Sequence, residues 1–378
     1  MPDFNSRFKG FWTDDADAEQ QLEKMRADGT VTASEAELLL QFIRDGYVVI
    51  PNAISHELAD QLANEMANVH QTPEKFVARG ERQNYSYATE EVTHSKFIRL
   101  IDYYVNSALA RKAIFSPSIA RILQLVFQRP VMAFQSLSFK VGSQQAIHQD
   151  GAYVVLSEPV QFAASWIALE DVQEGTGELI YYPGSHRYPD FLFSGAYKHF
   201  KPARDGQEQL QASLKNLHDE AKRLNLTLKS FIPKKGDALI WAADLAHGGS
   251  RITNTAATRK SLVTHYCPAD VLPNYAKETT IFYKKQSTYP NCYYSARHYD
   301  LRPDDLRPND LRPNNLNTDK KVSAADTEKK SSSIVSNIIR KIWPRNDSTA
   351  IEKQDQPEEP QELLNLAPDI VRQIERNG

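Results

Sequence analysis

Apolar and polar residues first fall into a helical rhythm over residues 33–45, where Ala36, Leu39, Leu40 and Ile43 recur at i, i+3, i+4 and i+7 and make one apolar stripe. Gly46 is placed to stop that helix, and Tyr47-Val48-Val49-Ile50 follows as a β-rich run closed by Pro51. Ser55 then caps a second helix predicted to reach about Val69. From residue 131 to about 268 the rhythm changes to short β-rich runs separated by Gly, Pro and Asp, at 133–141, 160–169, 179–182, 226–232, 238–241 and 260–266. Many short strands with irregular connections predict a barrel or jelly roll with flanking helices, a mainly β fold. Between them, Leu210, Leu214, Leu217, Ala221 and Leu224 give residues 207–224 a helical period, read as an inserted helix and part of a lid.

The ends are different in character. Residues 1–30 are polar and charged and read as a lead into one domain over 31–299. After Tyr299 the units Asp300-Leu301-Arg302-Pro303-Asp304, Asp305-Leu306-Arg307-Pro308-Asn309 and Asp310-Leu311-Arg312-Pro313-Asn314 repeat every five residues. Proline at that spacing forbids a continuous helix, so residues 300–378 are expected to be a flexible, disordered tail. Ile334, Val335, Ile338, Ile339, Ile342 and Trp343 form an amphipathic island within it, suited to a protein partner, a membrane surface or its own domain.

Composition narrows the function. With 45 Lys+Arg against 48 Asp+Glu, the chain lacks the positive excess that would draw it onto nucleic acid. No run approaches the roughly 20 apolar residues of a transmembrane helix, and the first residues carry no signal-peptide core. Cys267 and Cys292 are the only cysteines, too few for a disulfide framework or a Cys-rich zinc site. A cytoplasmic protein acting on a small molecule is the expectation.

The densest chemistry lies in Gln144-Gln145-Ala146-Ile147-His148-Gln149-Asp150-Gly151. On an extended chain His148 and Asp150 project from one face and offer an imidazole and a carboxylate to one point. Non-haem oxygenases hold Fe(II) with two His and one carboxylate on one face of an octahedron, so a second His is needed. His247, where a β-type run opens into Gly248-Gly249, can supply it if a barrel brings the strands together. Taken alone, the pair could equally be solvated side chains of a polar loop. Arg259 adds a planar fork for a carboxylate, and Ser261, two residues on, a hydroxyl for the same oxygens, as gripping the distal carboxylate of 2-oxoglutarate requires. A surface Arg in a Thr/Asn-rich turn is the plainer alternative.

These segments resemble the phytanoyl-CoA dioxygenase family. His148-Gln149-Asp150, Trp166-Ile167-Ala168-Leu169-Glu170-Asp171, the stretch from Gly177 to Tyr182, Pro183-Gly184-Ser185-His186, Gly236-Asp237-Ala238-Leu239, His247-Gly248, and Arg259 with Ser261 follow that family's motif order. Asp45-Gly46-Tyr47-Val48-Val49-Ile50-Pro51 resembles its early segment, and the likeness runs over about residues 35–268, weakest after His186. The resemblance implies a double-stranded β-helix (jelly-roll, cupin-like) core, Fe(II), 2-oxoglutarate as co-substrate and O2. It also implies His148, Asp150 and His247 as iron ligands and Arg259 as the 2-oxoglutarate anchor. Gln135 resembles an amide that contacts the keto acid in some members, and is otherwise a polar strand residue. Trp166 and the Pro183-Gly184 turn are read as packing and fold closure, and His186 and His265 as structural or adjacent to the ligands.

The carboxylate at Asp150 favours hydroxylation over halogenation, since related halogenases have Ala or Gly there. Desaturation or epimerisation with the same cofactors, a zinc site, and a non-catalytic jelly-roll interaction module are the alternatives. The aromatic and basic insert (Tyr188, Phe191, Phe193, Tyr197, Lys198, His199, Phe200, Lys201, Arg204) and the aromatic cluster at 275–299 are the expected substrate walls.

Overall fold

The computed structural model describes residues 4, 6–80, 85–278 and 281–302; most of the five-residue repeats and the whole amphipathic island lie outside the described residues. The strands are β1 (Tyr47–Ile50), β2 (Val77–Arg79), β3 (Tyr85–Tyr87), β4 (Arg99–Ile101), β5 (Val131–Phe139), β6 (Ala163–Ala168), β7 (Leu179–Tyr181), β8 (Lys229–Phe231), β9 (Ala238–Ala242), β10 (His247–Gly249), β11 (Ser261–Pro268), β12 (Lys285–Gln286) and β13 (Cys292–Tyr294). The large sheet has the order β1-β9-β6-β11-β5-β4-β2-β3, with β13 parallel to β5 and paired to β12. The small sheet has the order β10-β7-β8, antiparallel throughout. From 131 onward the chain passes repeatedly between the two sheets, with β5 and β6 in the large one, β7 and β8 in the small, and then β9, β10 and β11 in large, small and large, which makes the core a double-stranded β-helix.

One face of the large sheet meets the small sheet. Tyr47, Phe139, Trp166, Leu239, Trp241 and Val263 from the one pack with Leu179, Tyr181 and Phe231 from the other. The opposite face is covered by helices α1 (Ala18–Ala27), α2 (Ala33–Asp45), α3 (His56–Ala67), α5 (Ala108–Ile114) and α6 (Pro117–Phe127), α4 (Glu90–Thr93) being a single short turn. Being covered on both sides, β6 and β11 are buried along their whole length, β11 including its polar Ser261, Thr264 and His265.

Helix α2 begins at Thr32, whose hydroxyl accepts from Glu35 N while the Glu35 carboxylate accepts from Thr32 N, and ends at Gly46 with φ 75°. A side chain at Gly46 would be strained in that region, and its Cβ would lie 2.4 Å from His186 Nδ1. Gly46→Ala is therefore expected to cost about 2 to 4 kcal/mol of stability, the left-handed penalty plus overpacking. Urea unfolding checks it, and a loss under 1 kcal/mol would remove the close-approach argument.

The polar lead is not a free arm: α1 buries Ala18 and Leu22, and Phe11 stacks on Phe127. At the other end Tyr299 and Leu301 are buried, the Tyr299 hydroxyl accepting from Val77 N and donating to Ile101 O. The inserted helix, α7 (Pro202–Arg223), breaks at Gly206. Among the described residues no helix is long and apolar enough to cross a membrane.

Candidate metal centre and co-substrate pocket

His148 and His247 are direct cross-strand partners. Each backbone N–H donates to the other's carbonyl, at 2.8 and 2.9 Å, so the segment bearing His148 runs along β10 as an added edge. Gly248 permits this approach, because a Cβ there would lie 2.6 Å from Gln145 O. Asp150 opens a short 3-10 turn two residues after His148. The chain thus brings three ligand types to one point, their ligating atoms all within 4.8 Å of one another and all buried.

The two rings are oriented alike. His148 Nδ1 donates to Ala146 O at 2.8 Å and His247 Nδ1 to Leu245 O at 2.9 Å, which leaves each Nε2 as the lone-pair nitrogen. Gln145 Nε2 donates to His148 Nε2 at 3.1 Å, as that tautomer requires. Both Nε2 atoms face Asp150 Oδ1, at 3.6 and 3.8 Å. Ligand atoms about 2.1 Å from one ion and at right angles lie roughly 3 Å apart, so a modest contraction suits an octahedral ion. Burial pulls the His247 pKa down to about 4, so its imidazole is neutral near pH 7. Burial pushes the Asp150 carboxyl up, but the His247, His265 and His148 rings beside it outweigh that and hold it well below the ordinary carboxylate range. A neutral His247 with an ionised carboxylate is the ligand state a divalent metal needs.

The site sits in a cavity of about 80 Å³ between the sheets, lined also by Gln135, Phe139, Trp166, Val263, Arg259 and His265. Arg259 is 3% exposed, and its guanidinium lies 5.3 Å from the ring centres of both Phe139 and Trp166. Its Nη1 donates to Gly177 O at 2.6 Å, Nε has no partner, and among the described residues no carboxylate lies within ion-pair distance. Burial pulls its pKa down to about 9, the mark of a cation without a counter-ion. Ser261 Oγ and Trp166 Nε1 are also buried and unpartnered. Arg251 is exposed and lines no part of this cavity. Of these, Arg259 and Trp166 line the cavity and Ser261 does not, so the unmet donors that fit a carboxylate there are the guanidinium and the indole N–H.

Gln135, Tyr153 and Val154 also line a second cavity of about 120 Å³, with Tyr85, Asn274, Tyr275, Arg297 and His298, so the 275–299 cluster does supply a wall. The insert borders a smaller space of about 20 Å³ beside His148 and Tyr153 with Phe191, Phe193 and Lys198. Phe193 and Phe200 pack with Leu210 into a small core of their own, and Tyr188 packs under α7. Lys198 is buried between Asp190 and Asp244, 2.8 and 2.7 Å away, and so fastens the insert beside the His247 loop. Two cavity residues carry more than the sequence reading gave them. Trp241 Nε1 donates to Asp150 Oδ2 at 2.9 Å, and His265 Nε2 lies 3.4 Å from the same oxygen. The period of two along β11, which puts His265 on the face of Ser261 and Val263, was the available signal.

The family model for phytanoyl-CoA dioxygenase (PhyH) matches residues 42–261. Peroxisomal phytanoyl-CoA dioxygenase of Rattus norvegicus is 21% identical over 235 residues, 60% of this chain and 66% of that protein, just under two thirds of its length. Among solved structures, the non-haem alpha-ketoglutarate-dependent carbocyclase SnoK from nogalamycin biosynthesis is 19% identical with a TM-score of 0.49, over 64% of this chain and 86% of that one. EctD from S. alaskensis with bound Fe is 19% identical with a TM-score of 0.46, over 71% and 83%.

Proposed function

The chain belongs to the phytanoyl-CoA dioxygenase family of Fe(II)- and 2-oxoglutarate-dependent oxygenases, and on that premise we propose that it hydroxylates a small molecule at the centre formed by His148, Asp150 and His247. The observation that carries this reading is one cavity lined by two unlike groups: a His pair with an ionised carboxylate, and a buried guanidinium without a counter-ion among the described residues. A dicarboxylate that chelates a metal through one end and needs a cation at the other matches both.

In this reading His148 Nε2, His247 Nε2 and Asp150 Oδ1 hold Fe(II), and Arg259 holds the distal carboxylate of 2-oxoglutarate, helped by Ser261, with Gln135 near the keto-acid end. Bound there, Fe(II) supplies the oxidising chemistry in which O2, 2-oxoglutarate and a substrate C–H give succinate, CO2 and the alcohol. The chain's own part is geometry and exclusion of water. Leu245 O and Ala146 O fix the imidazole tautomers, while Phe139, Trp166 and Val263 wall the cavity with apolar surface. Asp150 fills a position that a halide would need, which favours hydroxylation. A non-catalytic jelly-roll module leaves the unpartnered Arg259 Nε, Ser261 Oγ and His265 nitrogens without a purpose.

Anaerobic addition of Fe(II) and 2-oxoglutarate should give a weak visible charge-transfer band, and admission of O2 should give succinate. Folded protein that shows neither would overturn the oxygenase reading. Succinate with no hydroxylated product from a metabolite extract, but with a desaturated or epimerised one, would overturn hydroxylation alone.

A further inference from the structure

Asp150 has two carboxylate oxygens with different surroundings. Oδ1 faces the Nε2 atoms of His148 and His247, whereas Oδ2 accepts from Trp241 Nε1 at 2.9 Å and lies 3.4 Å from His265 Nε2. We infer that Trp241 and His265 are a pair of positioning residues that hold Oδ2 and so present Oδ1 alone to the metal; this rests on the reading of Asp150 as a ligand.

The sheet register shows how the pair is built. Trp241 on β9 and His265 on β11 are both cross-strand partners of Ala164 on β6, one from each side. The two rings therefore stand in one row on the inner face with a single methyl between them, and the Asp150 carboxylate reaches both across that gap. Ala164 is fully buried. A larger side chain there would occupy the room into which the carboxylate is held. Next along the row is Gln135, opposite His265, and the ladder shifts register between His265 and Tyr266. Such irregularities re-aim side chains beside functional sites.

His265 is hard to explain as packing. It is 5% exposed, flanked by Phe134 and Phe162, and neither ring nitrogen has a hydrogen-bond partner. A buried imidazole with both nitrogens unmet costs stability that Leu or Phe at the same place would not. Asp150 Oδ2 is a polar atom within its reach, and a small rotation turns the 3.4 Å contact into a hydrogen bond. Trp241 supplies the same service from the other side, and its indole N–H can only donate. Two donors on one oxygen keep the carboxylate from turning to offer both oxygens. Coordination positions beyond the three protein ligands then stay open for 2-oxoglutarate and O2.

Co(II) titration of the metal-free protein, read from its visible d–d absorption, tests this without turnover. Trp241→Phe and His265→Leu are each expected to weaken Co(II) binding about 10- to 100-fold, the usual effect of losing an outer partner of a ligand, and to alter the band. His265→Gln, which keeps an N–H donor, should recover most of the affinity. Ala164→Val should mimic the losses with both donors intact, and the double variant should lose less than the two single losses combined, because both donors act on one oxygen. Wild-type affinity and band in folded Trp241→Phe and His265→Leu would overturn the inference, as would a His265→Gln protein no better than His265→Leu. Asp150→Ala separates the two levels. If it binds Co(II) like wild type, the ligand assignment fails and this inference with it; if it loses Co(II) while the Trp241 and His265 variants do not, only the positioning role fails.

Discussion

His247→Ala is expected to abolish 2-oxoglutarate turnover while the protein stays folded. The imidazole offers Nε2 to the centre and is fixed through Nδ1 to Leu245 O, so alanine removes one of the three ligand atoms gathered there. Loss of a ligand itself should exceed the 10- to 100-fold that loss of an outer partner costs. The fold should survive, because His247 holds the sheet through backbone bonds to His148, which alanine keeps, and the ring is one neutral side chain at a cavity wall. His148→Ala and Asp150→Ala should behave alike. Asp150→Gly should also lose hydroxylation even though it opens a position for a halide. Succinate formation, followed alongside near-ultraviolet circular dichroism, checks the set. Turnover retained in folded His247→Ala would end the assignment, and full hydroxylation in Asp150→Gly would show that another carboxylate serves.

Local order was well legible where one face of an element is apolar and the other polar. The stripe of Ala36, Leu39 and Ile43 and the stop at Gly46 gave α2 its observed bounds, and the period of residues 207–224 gave most of α7. Helix α6 went unread although Ser118, Arg121 and Gln124, three residues apart, form a half-exposed polar stripe opposite the buried Ile119, Ile122, Leu123, Val126 and Phe127. The ligands were legible for a different reason: His148 and Asp150 carry their geometry in a spacing of two, and the motif order supplied His247. Trp241 and His265 were not, because their meeting at Asp150 depends on both being partners of Ala164, a register between strands 24 residues apart that no local pattern encodes. In the insert, Phe193 and Phe200 close a small core over Leu210, while Phe191 and Phe193 also border the space beside His148. Composition counts rings but does not say which way they face.

Arg259→Ala should raise the Michaelis constant for 2-oxoglutarate by two or more orders of magnitude and leave Fe(II) binding, measured without the keto acid, nearly unchanged. The guanidinium is buried between Phe139 and Trp166, spends Nη1 on Gly177 O, and keeps Nε unpartnered at the cavity. A carboxylate there gains charge-assisted hydrogen bonds worth roughly 1.5 to 3 kcal/mol each, and about 1.4 kcal/mol is tenfold in affinity, so losing two of them accounts for the size of the effect. Arg259→Lys keeps a charge without the planar fork and should fall between. Ser261→Ala removes one unmet hydroxyl and should cost less than either, since a neutral hydrogen bond is worth about 0.5 to 1.5 kcal/mol. The separation of the two constants is the informative part, because Arg259, just ahead of β11, and the histidines line the same cavity from different segments and share no hydrogen bond or ion pair among the described residues. Should Fe(II) affinity collapse while the 2-oxoglutarate constant holds, Arg259 would be a support of the Gly177 turn, and the exposed Arg251 offers no replacement anchor, so the co-substrate itself would come into question.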